Sequence, residues 1–135
     1  MTANLEVRAS DDARADIPRL IKNVVAWWFA VVLAIIFTLA GGIKLIGVPA
    51  MVQEFAQIGL GQWFRYLTGL LEVSGAIGLL IPKVRFWAAV QIAVVMAGAT
   101  IANLTVLHVP PLARVTGVLM ILALLLAWLR RPAVP

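Results

Sequence analysis

Apolar positions in this chain gather into four long runs, with little of the alternation that marks a half-buried strand. The runs span residues 24–46, 66–82, 86–107 and 112–129. Each is near the roughly 20 residues a helix needs to cross a bilayer. Helix-breaking or basic residues punctuate them: Gly41-Gly42 and Lys44 late in the first, Pro82-Lys83 after the second, Pro110-Pro111 after the third, and Arg130-Arg131-Pro132 after the fourth. Trp27-Trp28 opens the first run, where amphipathic rings sit at a membrane boundary. The second and fourth runs are short, so the flanking Arg65, Arg114 and Arg130 are expected to snorkel. The pattern predicts an all-α protein, a four-helix transmembrane bundle over residues 17–135.

Two segments depart from the runs. Residues 1–16 mix Arg8, Asp11, Asp12, Arg14 and Asp16 and are too polar to form a core, which predicts a cytoplasmic tail, mobile or lying on a surface. The apolar run behind it is too long for a signal peptide and lacks a small-residue cleavage site, so it reads as an anchor. The connection between the first two runs is longer. Pro49 fits a helix start; Val48, Met51, Val52, Phe55 and Ile58 recur on one face, and Gln53, Glu54 and Gln57 lie on the other. Gly59 and Gly61 end the segment, and Trp63-Phe64 follows as an aromatic anchor. This predicts an amphipathic helix at about residues 49–58, lying in the membrane interface. It either caps the bundle as an ordered linker or serves as a lid for a ligand or partner, with Val52, Phe55 and Trp63 as the candidate interface residues.

Composition agrees with a lipid environment: 63% of the 135 residues are hydrophobic, 13% are charged, and the mean hydropathy is +1.02. A soluble domain carries about 45–50% apolar and about 25% charged residues. The net charge of +5 comes from Lys and Arg at the ends of the runs. They orient the chain and meet anionic headgroups, and no basic patch with interleaved aromatics suggests nucleic acid. Eight of these cations fall on one side (Arg8, Arg14, Arg19, Lys22, Lys83, Arg85, Arg130, Arg131) and three on the other (Lys44, Arg65, Arg114). The positive-inside rule then places both termini in the cytoplasm, in the inner membrane of a bacterium.

Candidate chemistry is sparse. With no cysteine and only His108, the chain offers no thiolate, iron–sulfur or multi-histidine metal set and no covalent cofactor attachment. The informative residue is Glu72, a carboxylate inside an apolar run, where an unpaired charge costs several kcal/mol and therefore faces a bundle interior. At 1.5 Å per residue it lies roughly 9 Å deep, and Asn103 roughly 7.5 Å deep from the same side. Lys44 closes the first run at that side. Gly69, Gly75 and Ala76 flank Glu72 at helical spacing and allow another helix to approach. Lys44, Glu72 and Asn103, with His108 nearby, thus form a predicted polar cluster. Three roles fit it: an ion pair that fixes the bundle, a site for a small molecule or quinone headgroup, or a proton or ion relay. Gln91 lies near the other end and reads as a helix–helix hydrogen bond.

These residues resemble the DoxX-like family of small four-helix membrane proteins. The resemblance rests on Ala40-Gly41-Gly42-Ile43-Lys44-Leu45, on the stretch Gly69-Leu70-Leu71-Glu72-Val73-Ser74-Gly75-Ala76-Ile77-Gly78-Leu79-Leu80-Ile81-Pro82, and on the layout from Val24 to Arg131. It implies that Lys44 and Glu72 correspond to the family's polar residues; Asn103 and His108 join them on depth alone. It also implies an accessory role. The family is named for a membrane subunit associated with a thiosulfate:quinone oxidoreductase, and distant eukaryotic relatives are assembly factors. The expected function is an accessory subunit or assembly partner without catalysis of its own, docked to another membrane subunit or to copies of itself. The alternatives are a quinone-binding redox component using Lys44, Glu72 and Asn103, or a small oligomeric transporter.

Overall fold

The computed structural model describes residues 1–133. Among them are five α-helices and no strand: α1 (Thr2–Ile46), α2 (Pro49–Ile58), α3 (Gln62–Leu80), α4 (Arg85–Thr105) and α5 (Pro110–Leu129). Helices α1, α4 and α5 are long and apolar enough to cross a membrane. Helix α3 has 19 residues but carries Gln62, Arg65 and Glu72, and these polar side chains keep it out of that group.

Residues 2–22 are helical and continuous with the first apolar run, so α1 has 45 residues and is about 67 Å long. Ala3, Leu5, Arg8, Ala9, Ala13, Arg14 and Ala15 are strong helix formers, which accounts for helix without a packing partner. Pro18 sits inside it and removes one backbone donor. Every residue from Met1 to Val25 is exposed, and burial begins at Ala26.

Four helices pack in a closed ring, α1 on α3, α3 on α4, α4 on α5 and α5 on α1, while α2 lies against α3 and α1. The core is built mainly from alanine: Ala26, Ala30 and Ala34 of α1, Ala88, Ala89 and Ala93 of α4, and Ala123 and Ala127 of α5, with Leu33, Phe37, Leu79, Ile92 and Leu126 filling between them. Small side chains bring helix backbones together, which is how helices associate where lipid removes the hydrophobic incentive. The large apolar side chains instead point outward: Ile35, Leu39, Leu70, Val94, Ile101, Val118 and Ile121 are all exposed. A fold with alanine inside and leucine, isoleucine and valine outside is at home in hydrocarbon.

Helix α2 occupies the predicted 49–58. Pro49 opens it, and left-handed glycines, Gly47 (φ 78°) and Gly59 (φ 81°), bracket it, a conformation that side chains with a Cβ disfavour. Helix α3 starts earlier than predicted, at Gln62, so Trp63, Phe64 and Arg65 form its first turn.

Candidate functional site

Lys44 and Glu72 meet across the α1–α3 contact. The Lys44 ammonium donates to Glu72 Oε1 at 3.1 Å and to Oε2 at 2.8 Å. It is the one ion pair among the described residues. Glu72 is 1% exposed and the Lys44 side chain 16%, so both charges are largely removed from solvent. Such a burial is tolerable only when the partners stay together, because removing one strands the other.

Glycine sets the helix approach that makes the pair possible. A Cβ on Gly41 would lie 2.7 Å from the Gly69 carbonyl oxygen and 2.7 Å from Val73 Cγ2; one on Gly69 would lie 3.1 Å from the Gly41 carbonyl oxygen and from Lys44 Cβ. Backbone therefore touches backbone one turn from the ion pair. On the α4 side, a Cβ on Gly75 would meet Ile92 Cγ1 at 2.8 Å. Gln91 of α4 donates to the Leu71 carbonyl at 2.8 Å and to Ser74 Oγ at 3.0 Å, so it ties α4 to α3 as expected.

Arg65 is the residue that sequence reasoning missed. Read as a snorkelling flank, it is 4% exposed and folds back over the α2 loop. Its Nη1 donates to the Lys44 carbonyl, its Nε donates to Gln62 Oε1 at 2.8 Å, and its guanidinium stacks 4.3 Å from the Tyr66 ring centroid. It thereby occupies an orphan carbonyl at the C-terminus of α1 beside Lys44, where a cation also suits the helix dipole. The available signal was position: an arginine in the first turn after a tight loop can reach an earlier helix end.

The remaining predicted residues disperse. Asn103 is buried, 3% exposed, but bonds neither Lys44 nor Glu72, and its Oδ1 has no partner among the described residues. The expected hydrogen bond to the pair does not form: α4 packs chiefly on α3 and α5, and α1 makes its main contact with α3. Thr100 on the same helix instead bonds Thr116 of α5 at 2.9 Å. His108 is exposed in the α4–α5 link at φ 54°, with its Nδ1 2.9 Å from the Val106 carbonyl oxygen. It stands apart from the cluster. Phe55 is buried and packs on Phe64 at 5.9 Å, and the Val52 carbonyl accepts from Gln62 at 3.0 Å. Phe55 is thus covered by its own chain, while Met51, Val52 and Ile58 on the same face are only half-buried. Trp63 is 61% exposed and remains available.

Two grooves open on the flanks of α1. One of about 420 Å³ is lined by Asn23, Val24, Trp27, Trp28 and Val31. The other, of about 380 Å³, is lined by Val25, Trp28, Phe29, Val32, Leu33, Ile36 and Leu122. Neither touches Lys44, Glu72 or Asn103.

A ring of helices with an apolar exterior and a buried ion pair defines a small integral membrane protein. The chain belongs to the DoxX-like family, whose model matches residues 28–128. No curated protein and no solved structure matches it.

Proposed function

We propose that this protein is a non-catalytic four-span membrane subunit or assembly partner, in which Lys44–Glu72 locks α1 onto α3. The observation that carries this reading is that the ion pair is completed within the chain, at a contact where glycine backbones touch. A carboxylate already holding an ammonium through both oxygens has little capacity left for a substrate. Helix α3, though more polar than the other three, takes its place in the ring with Glu72 turned inward, so it spans with them. The exposed apolar surface and Trp63 are then what other subunits, lipids or further copies of the chain would meet. Purification from native membranes, with mass spectrometry of what co-elutes, tests the role. A stoichiometric protein partner is expected; bound quinone with no protein partner would overturn it.

The quinone reading has one observation in its favour. Asn103 Oδ1 is a buried acceptor with no donor, and a quinol hydroxyl could supply one. Asn103→Leu separates the two readings, because it abolishes quinone retention in the redox reading and leaves partner retention intact in the accessory reading.

The orientation proposed is both termini in the cytoplasm and α2 on the outer face, in a bacterial inner membrane, from the eight-to-three distribution of Lys and Arg. Gln57 is exposed on α2. A cysteine placed there is expected to react with an impermeant reagent in intact cells; protection would reverse the topology.

A further inference from the structure

At the end of the bundle opposite α2, two arginines meet without an acid. Arg85, in the first turn of α4, is 2% exposed. Its Nε donates to the Leu79 carbonyl at 2.6 Å, which caps the C-terminus of α3, and its Nη2 is buried with no partner among the described residues. Arg130, at the end of α5, donates from Nη1 to Asn23 Oδ1 at 3.0 Å and from Nη2 to the Asn23 carbonyl at 3.3 Å; its Nε is also buried, with no partner among the described residues. Both rest on the same stretch of α1, Arg85 over Trp27 and Arg130 on Asn23 one turn before it. Lys83 and Arg131 lie beside them in sequence and Lys22 beside Asn23, and the N-terminus of α4 has no side-chain cap. Of the six carboxylates, Glu54 and Glu72 lie at the α2 end and Glu6, Asp11, Asp12 and Asp16 on the exposed tail, and none pairs with Arg85 or Arg130 among the described residues.

An apolar groove runs along α1 from the residues that this pair contacts, Asn23 and Trp27. Asn23, held by Arg130, lines its head, and Val24, Trp27, Trp28 and Val31 continue it along α1. The Arg85 Cζ lies 5.5 Å from the Trp27 ring centroid. Spare guanidinium donors on two helices match the oxygens of a phosphate, which accepts in the forked geometry guanidinium offers. A free phosphate would leave the groove beside it empty, whereas an acyl chain fills it.

We propose that Arg85 and Arg130 bind the phosphate of an anionic phospholipid whose acyl chain lies along Trp27, Trp28 and Val31. The lipid supplies a negative charge to guanidinium donors that no carboxylate pairs among the described residues, and joins α1, α4 and α5 there.

The test uses the full chain in lipid-free detergent, titrated separately with phosphatidylglycerol, phosphatidylcholine and inorganic phosphate. Lipid retention is read by native mass spectrometry, and stability by thermal unfolding. One phosphatidylglycerol per chain is expected, preferred over phosphatidylcholine by about tenfold. Arg85→Gln risks the α3 cap, so the variants are Arg130→Gln, which should lose the preference, and Arg130→Lys, which should keep most of it. Val31→Trp, which fills the groove, should lower retention of either lipid. Arg114→Gln, at the far end, should leave retention unchanged. The proposal fails if the two lipids bind equally, or if Arg114→Gln acts like Arg130→Gln. It also fails if Val31→Trp has no effect, or if inorganic phosphate reproduces the thermal shift.

Discussion

At the α2 end, Arg65 reaches back past the whole of α2 to a carbonyl near the end of α1; at the other end, Arg85 reaches across a short turn to a carbonyl near the end of α3. The device is shared, but the electrostatic setting is not. Around Arg65, Lys44 is matched by Glu72, Glu54 lies on α2, and the guanidinium has a carbonyl, an amide oxygen and an aromatic face. Around Arg85 stand Arg130 and a Trp ring, and each arginine keeps a buried donor unused. Among the described residues, the unpartnered buried side-chain atom at the α2 end is a neutral acceptor on Asn103. A satisfied polar cluster in a low-dielectric interior rigidifies; an unsatisfied one of a single sign calls for a counter-charge. The contrast assigns a structural role to the first end and a binding role to the second.

The largest expected effect comes from breaking the α2 end. Glu72→Gln strands Lys44 in a buried position and should destabilise the protein by about 3–5 kcal/mol. Glu72→Gln combined with Lys44→Met removes both charges and should recover at least half of that loss, read as thermal stability in detergent. If the double variant is no better than the single one, Lys44 has another partner when Glu72 is absent, and the lock is not a simple pair.

Next in size is the glycine contact beneath the pair. Gly41→Ala would press a methyl onto the Gly69 carbonyl at 2.7 Å. A backbone cannot move aside, so a cost of about 2–3 kcal/mol is expected. At the opposite end, Gly78→Ala would meet the Ala88 methyl at 2.7 Å. That obstacle is removable, and Ala88→Gly should rescue it. Gly42, with nothing within 4 Å, is the control, since Gly42→Ala should gain up to about 1 kcal/mol. If Gly42→Ala costs as much as Gly41→Ala, the effect is propensity and the backbone contact is not the cause.

How much of this was legible in the sequence follows from what each feature depends on. Helix α2 was visible because Pro49, Gly59 and a one-sided apolar face are local signals. Glu72 pointing inward at Lys44 was legible because burying a charge leaves few solutions, and the small residues around Glu72 marked the facing helix. Asn103 was misplaced because depth along a helix says nothing of azimuth. It lies on a helix that packs chiefly on α3 and α5, while Lys44 belongs to the α1–α3 contact. The cover over Phe55 was left open between the bundle and a partner because a helical period shows that a face is apolar without showing what covers it; here Phe64 of the same chain does. Arg65 and Arg85 looked like ordinary flanking cations. Their burial depends on where the preceding segments return the chain, past α2 for Arg65 and through a short turn for Arg85, which is a tertiary fact. The helical tail was missed because mixed charge suggested disorder while alanine and arginine favoured helix.

The smallest expected effect is also the one that compares the two ends directly. Arg65→Met removes two hydrogen bonds and leaves the Lys44 carbonyl and the Gln62 amide oxygen without that donor, for a cost of about 1–3 kcal/mol. Arg85→Met removes one hydrogen bond, to the Leu79 carbonyl. It also removes a cation facing Arg130, so the lost bond is offset by relieved repulsion. The net cost in lipid-free detergent should therefore be under about 1 kcal/mol. Chemical denaturation of both variants in the same detergent decides it. A cost for Arg85→Met equal to that for Arg65→Met would mean that Arg85 is already neutralised in the isolated chain. The electrostatic difference between the two ends would then disappear.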